Sequence, residues 1–252
     1  MPASPSTKRW RWSTGAVLAL LLLTVTTAAI RFIAQPVPSM VLPGAQPTST
    51  PAPTPTRTEP TPIPTPTTTG TLAVLGDSFV RGVGADTDYV TVLGQQLGVT
   101  TAKFGETGTG LVNYGLGQPY DLRLAALMYT KPVGLVVQAS VNDYQASTDS
   151  VVAAARVLVD HARAIDRDIP IALVGPIYYQ YEAYPAIVEQ RTALKTFSRE
   201  LKITYVDPTG WITDATKATY IGGDNLHPTA AGYQRIAARA AQQLRQFAAD
   251  LP

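Results

Sequence analysis

An α/β fold with a parallel sheet is predicted for residues 71–252, and two patterns predict it. Short, continuous apolar runs, which are typical of strands buried on both faces, alternate with amphipathic stretches of helical period. This alternation implies parallel strands joined by right-handed helical crossovers that cover both faces of the sheet. Ligands of such sheets bind beyond the carboxyl ends of the strands, so we expect the reactive residues there.

The predicted sheet has about five strands, each followed by a helix. The predicted strands are Leu72–Leu75, Thr101–Phe104, Val133–Ala139, Ile171–Val174 and Thr204–Val206. The predicted helices are Tyr89–Leu97, Leu122–Tyr129, Val151–Asp166, Pro185–Leu201 and Thr229–Ala249.

The first 34 residues predict a membrane anchor. Three basic residues between positions 8 and 11 precede an uncharged run, GAVLALLLLTVTTAAI, at residues 15–30. Arg31 can reach the interface, and the apolar residues after it extend the run, so residues 15–34 suffice to span a bilayer. The basic flank predicts a cytoplasmic N-terminus and an exported remainder. A cleaved signal peptide, which would give a secreted protein, shares this pattern, but no clean A-x-A site follows the run.

Residues 35–70 are rich in Pro, Thr and Ser and include TPTPT repeats. Proline favours extended backbone, and the remaining residues are too polar to form a core. This tract predicts a semi-rigid spacer between the anchor and a single domain at residues 71–252.

Charge and cysteine content exclude several classes of function. Residues 1–69 carry five of the 20 Lys and Arg and one of the 18 Asp and Glu, so the rest of the chain carries 15 bases against 17 acids. The domain therefore offers no basic surface for nucleic acid. Cysteine is absent, which excludes a disulfide framework and a thiolate metal site.

Three predicted strands end in residues that could carry chemistry. Gly76-Asp77-Ser78 follows the first strand, where glycine permits a sharp turn that leaves the serine at the mouth of the sheet, although a helix cap would explain the triplet equally simply. Gly105–Gly110 follows the second strand and lets backbone N–H groups approach a ligand, although a plain turn stays open. Val141-Asn142-Asp143 follows the third strand, where the amide could donate to an anionic oxygen or close an Asx turn.

The chain has two histidines, and only one has the surroundings of a catalytic base. His227 lies in a loop three residues after Asp224, which can accept from one ring nitrogen and leave the other as a base. His161 lies within a predicted helix among charged residues, which indicates a solvated face.

Together these four stretches resemble the SGNH (GDSL) hydrolase family, in order, over essentially all of the domain. The resemblance implies a flavodoxin-like, three-layer α/β/α sandwich that cleaves esters or transfers acyl groups. It also implies that Ser78 is the nucleophile, His227 the general base and Asp224 its orienting acid. Gly108 and Asn142 would form the oxyanion hole with the Ser78 N–H. The third motif of the family usually reads Gly-x-Asn-Asp, and here it begins with Ser140.

These roles predict an acyl-enzyme mechanism that needs no cofactor and no metal. A serine hydroxyl becomes nucleophilic when a neighbouring base takes its proton. The oxyanion donors would each contribute roughly 3–4 kcal/mol to transition-state stabilisation. Attack of water on the acyl-enzyme would then complete hydrolysis, and attack of another hydroxyl would transfer the acyl group to it.

Weaker candidates for substrate contact are Asp77, beside the serine, and Tyr178 and Tyr179 in the segment PIYYQYEAY at residues 176–184. Tyrosines after the fourth strand could line a sugar or acyl pocket, or they could simply pack the loop on the domain.

The sequence thus favours an extracytoplasmic enzyme that acts on an acyl ester of envelope carbohydrate or lipid. Two alternatives stay open. The domain could be a catalytically silent binding module on the envelope, or a scaffold whose Pro/Thr tract is the functional part.

Overall fold

The computed structural model describes residues 70–115, 117–177 and 184–252. The strands are β1 (Thr71–Gly76), β2 (Thr100–Gly105), β3 (Gly134–Gln138), β4 (Ile171–Val174) and β5 (Thr204–Val206). The helices are α1 (Ser78–Arg81), α2 (Tyr89–Leu97), α3 (Tyr120–Tyr129), α4 (Thr148–Ile165), α5 (Pro185–Glu200), α6 (Lys217–Tyr220) and α7 (Ala230–Ala249). A short 3-10 turn, Val141–Asp143, follows β3.

The five strands form one sheet in the order β2-β1-β3-β4-β5, and every neighbouring pair is parallel. This is the flavodoxin-like order, in which the chain winds in opposite directions from a switch point between β1 and β3. The predicted fold is therefore confirmed. The crevice at the switch point lies beyond the carboxyl ends of β1 and β3, which are followed by two of the candidate motifs.

Alternation along the buried strands divides the core between the two faces of the sheet. Leu72 and Val74 of β1 belong to the core beneath α2 and α7, whereas Ala73 and Leu75 belong to the core beneath α3, α4 and α5. Since both faces are covered, each central strand contains a continuous apolar run, Leu72–Leu75 in β1 and Leu135–Val137 in β3, as the sequence predicted.

The differences from prediction fall at element ends and in short elements. Helix α4 begins at Thr148 rather than Val151, because the Ser147 hydroxyl accepts from the Ser150 N–H and caps the helix before its apolar stripe starts. The four-residue helices α1 and α6 were not predicted, since neither is long enough for a helical period.

No helix within the described residues is both long enough and apolar enough to cross a membrane. The predicted anchor at residues 15–34 and nearly all of the predicted spacer lie outside the described residues.

Candidate active site

Ser78 lies in a tight turn directly after β1. Asp77 caps α1 by accepting from the Phe79 N–H at 2.9 Å, and Gly82 closes the helix with a left-handed φ of +87°. Ser78 is the first residue of α1, where a backbone N–H has no acceptor within the helix. Its side chain is 4% exposed, at the carboxyl edge of the sheet. The turn therefore holds a hydroxyl and an N–H together at the crevice.

His227 is oriented by Asp224. Its Nδ1 lies 2.6 Å from Asp224 Oδ2, and because an ionised carboxylate can only accept, Nδ1 carries the proton. Asp224 Oδ1 accepts from the N–H groups of Leu226 and His227, which fixes the loop that carries both residues. Desolvation acts to raise the pKa of Asp224, but these hydrogen bonds outweigh it and lower the pKa to about 2. The carboxylate thus stays ionised across the neutral range.

Nε2 of His227 is the ring nitrogen that could accept a proton if this histidine acts as a base. Nε2 is buried, and it has no hydrogen-bond partner among the described residues. The His227 ring lies 6.0 Å from the Phe79 ring, centroid to centroid, and its Cβ would lie 3.0 Å from a Cβ added at Gly84. The loop that carries His227 therefore packs on the segment that follows Ser78. Within the described residues, no hydrogen bond joins His227 to Ser78.

Gly108 and Asn142 lie in two loops that touch each other. Gly108 has a φ of +76°, which side chains rarely adopt, so glycine is required by the backbone rather than by space. The Asn142 amide donates one hydrogen to the Thr109 carbonyl at 2.9 Å, which leaves its second hydrogen available. The structure thus joins the two loops that were predicted to supply oxyanion donors.

Asp143 clamps these two loops together. Its carboxylate accepts from the backbone N–H groups of Leu111, Val112 and Asn113, all within 3.0 Å. A side chain at Gly110 would collide with this carboxylate, so glycine allows the approach. Burial raises the pKa of Asp143, against the lowering effect of the three N–H groups. This clamp was missed by the sequence analysis, which considered only the amide of Asn142.

Asp77 lies inside the protein rather than at the substrate crevice. The residue is 1% exposed, and its carboxylate accepts from Gln138 Nε2 at 2.9 Å and Ser140 Oγ at 2.6 Å as well as from the Phe79 N–H. Burial raises the pKa of Asp77, although the three donors favour the ionised form. A structural role in the turn therefore replaces the substrate contact expected for this side chain.

Ser140 connects the serine turn to the loop of Asn142. Its hydroxyl donates to Asp77 and accepts from the Asn142 N–H at 3.0 Å. Glycine, the usual residue of the family at this position, could make neither bond. The departure from the family motif thus adds a buried hydrogen-bonded bridge between Asp77, the neighbour of Ser78, and the backbone of Asn142.

We expect Ser140→Ala to lower kcat by roughly tenfold and stability by about 1–3 kcal/mol, because it removes a donor to a buried carboxylate and loosens Asn142. Steady-state kinetics and thermal unfolding measure the two effects. The matched control is Ser198→Ala, since Ser198 is equally buried but donates to Leu194 within α5. A loss of stability with unchanged kcat would assign Ser140 a purely structural role.

Arg123 is a buried cation that braces the same edge of the sheet. Its guanidinium donates to the carbonyls of Gly76 and Phe104, the ends of β1 and β2, and to the Thr109 hydroxyl. It lies over the Tyr120 ring, 4.7 Å from the centroid. The sequence could have indicated this buried role, because Arg123 is a charged residue on the apolar face of α3.

The other candidates from the sequence lie elsewhere. His161 is exposed on α4, as predicted. Tyr178 and Tyr179 lie outside the described residues. Among the residues that the structure describes, no group of three or more His, Asp or Glu side chains could hold a metal ion.

A pocket of about 250 Å³ adjoins the candidate oxyanion loop. Its lining includes Asn142 and Leu226, the neighbour of His227 in the chain. Its remaining lining residues are Val141, Tyr144, Tyr184, Ile187 and Asn225.

Several solved structures with the same fold are esterases. The chain is similar to an acetylxylan esterase from Geobacillus stearothermophilus (18% identity, TM-score 0.56, 72% of this chain and 95% of that chain). It is also similar to family 3 carbohydrate esterases from Talaromyces cellulolyticus (16%, 0.56, 73% and 100%) and Clostridium thermocellum (15%, 0.55, 71% and 97%). At these identities the likeness establishes the shared fold alone.

A sequence model of the GDSL-like lipase/acylhydrolase family matches residues 74–235, which is more than half of the chain. A comparison with curated proteins gave no match. The chain belongs to the GDSL-like lipase/acylhydrolase family, and the resemblance inferred from its motifs is confirmed.

Proposed function

We propose that this protein is a serine esterase that removes an acyl group from an O-acylated envelope carbohydrate through an acyl-enzyme. The observation that carries the proposal is the Asp224–His227 pair. Its hydrogen bond leaves Nε2 as the free basic nitrogen, in a loop packed on the segment after Ser78. A binding module has no need for a histidine oriented in this way.

Acylation begins when His227 Nε2 takes the proton of the Ser78 hydroxyl as Oγ attacks the ester carbonyl. A bond forms between Oγ and the carbonyl carbon, and negative charge moves to the carbonyl oxygen. The intermediate then collapses, the bond to the alcohol oxygen breaks, and the imidazolium returns its proton to that oxygen. Asp224 stabilises the imidazolium throughout and remains ionised.

Three donors would stabilise the oxyanion: the N–H groups of Ser78 and Gly108 and the second amide hydrogen of Asn142. Support for this assignment comes from the braced loops, because donors that are already in place need no reorganisation during the reaction. Water deprotonated by His227 then attacks the acyl-enzyme, releases the carboxylic acid and restores Ser78. A sugar hydroxyl in place of that water would make the enzyme an acyltransferase.

A carbohydrate ester is favoured as substrate over a lipid ester. Of the similar solved structures named above, one is an acetylxylan esterase and two are family 3 carbohydrate esterases. Two asparagines, Asn142 and Asn225, line the adjoining pocket beside its apolar residues, and they agree with that choice.

The test is labelling with a fluorophosphonate probe, followed by hydrolysis of acetate, butyrate and hexanoate esters of p-nitrophenol and of acetylated oligosaccharides. We expect covalent labelling and a preference for acetyl esters. Absence of both labelling and hydrolysis, in a folded protein that binds glycan, would favour the silent binding module.

We further propose that residues 15–34 anchor the domain outside the cytoplasmic membrane. A reporter that is active only outside the cytoplasm, fused after Pro252, should be active, and the full-length protein should sediment with membranes. Deletion of residues 1–34 is the control and should abolish both results. Full-length protein in the cytosolic fraction would contradict the topology, and a shortened protein in the medium would indicate a cleaved signal peptide.

A further inference from the structure

The pocket beside Asn142 is held by an aromatic pair. Tyr144 follows the 3-10 turn after β3, and Tyr184 directly precedes α5. Their rings meet edge to face, with centroids 5.7 Å apart and planes at 82°. Gln145 Nε2 donates to the Tyr144 hydroxyl at 3.0 Å, which further fixes that ring. The two rings therefore form a preset surface rather than two independent side chains.

Both rings are unusually exposed for aromatic residues that contact each other. Tyr144 is 44% exposed and Tyr184 is 36% exposed. Three aliphatic residues, Val141, Ile187 and Leu226, add apolar surface to the pocket. The pocket thus offers exposed apolar surface beside the candidate oxyanion donor Asn142.

The lining is amphipathic, which distinguishes a sugar site from an acyl-chain site. An acyl chain offers no hydrogen-bonding groups, so polar side chains in a pocket built for it would lose their hydrogen bonds to water without gaining new ones. This pocket instead combines two aromatic rings with their hydroxyls and with the amides of Asn142 and Asn225. A pyranose ring has the matching character, since its C–H face is apolar and its rim carries hydroxyls.

We infer that the Tyr144–Tyr184 pocket is the subsite for the pyranose ring that carries the scissile ester. Asn142, which lines the pocket, would donate to the carbonyl oxygen, and Leu226, which also lines it, directly precedes His227 in the chain. The substrate class is then an O-acylated pyranoside of a glycan, with the acyl group outside this pocket. This inference rests on the proposed esterase function.

The experiment compares sugar and non-sugar esters in Tyr144→Ala, Tyr184→Ala and the double variant. The sugar esters are monoacetylated methyl glycosides of glucose, xylose and N-acetylglucosamine, which keep their remaining hydroxyls free, and the reference ester is p-nitrophenyl acetate. The quantity compared is kcat/KM for the best glycoside divided by kcat/KM for p-nitrophenyl acetate. We expect this ratio to fall roughly fivefold in each single variant and on the order of tenfold or more in the double variant. The loss should appear mainly in KM, and Tyr144→Phe, which keeps the ring, should retain most of the ratio.

Tyr129→Ala is the matched control, because Tyr129 is 89% exposed at the end of α3 that leads into β3, away from the carboxyl edge of the sheet. It should leave the ratio unchanged. An unaltered ratio in the double variant would overturn the inference, as would a change only in the preference of p-nitrophenyl hexanoate over acetate, which would indicate an acyl-chain pocket. Failure of the wild type to hydrolyse any ester or to react with a fluorophosphonate would instead refute the proposed function.

Discussion

Ser78→Ala is expected to abolish fluorophosphonate labelling and to lower kcat on p-nitrophenyl acetate by a factor on the order of 10⁶, since no other group could form the acyl-enzyme. The fold should survive the substitution. The turn is held by the Asp77 carboxylate and by the Gly82 N–H, which donates to the Ser78 carbonyl, and alanine keeps both bonds.

The measurement is probe labelling with mapping of the labelled peptide, alongside esterase kinetics and thermal unfolding. Ser198→Ala, which removes a buried hydroxyl in α5, is the control and should label normally. Undiminished labelling of Ser78→Ala, or a probe found on a peptide without Ser78, would refute the assignment of the nucleophile.

The second large effect is expected from His227→Ala, which should be nearly as damaging as Ser78→Ala. The double variant should be hardly worse than either single variant, because residues of one proton-transfer unit do not contribute additively. Asp224→Asn should lose less, by a factor on the order of 10⁴ or below, since the histidine remains but is poorly oriented. Asparagine is the suitable replacement, because its carbonyl oxygen can still accept from the Leu226 and His227 N–H groups that fix the loop.

Single- and double-variant kinetics on p-nitrophenyl acetate decide this prediction. The other histidine provides the control, because His161 is exposed on α4 and His161→Ala should have full activity. Independent, multiplying losses for Ser78 and His227, or an active His227→Ala enzyme, would mean that the base lies elsewhere and that the loop only leads into α7.

The fold could be predicted from the sequence because the patterns that indicate its strands and helices are local. Each strand is an apolar run, and each long helix has an amphipathic period within a single stretch of chain. Parallel pairing then brings the carboxyl ends of β1, β2 and β3 to one edge. The motifs that follow these strands are therefore neighbours in space. The Asp224–His227 pair could be predicted from its three-residue spacing alone.

Only the tertiary structure could decide how these motifs support one another. Asp143 holds backbone N–H groups 30–32 residues away, and Ser140 bonds to Asp77 across 63 residues. The Tyr144–Tyr184 pair likewise joins two distant loops. Such contacts depend on strand register and loop path, which no local pattern encodes. The sequence by itself determined the fold class and the candidate reactive groups, whereas the packing of β1 against β3 decided which polar side chains are buried and hydrogen-bonded between the motifs.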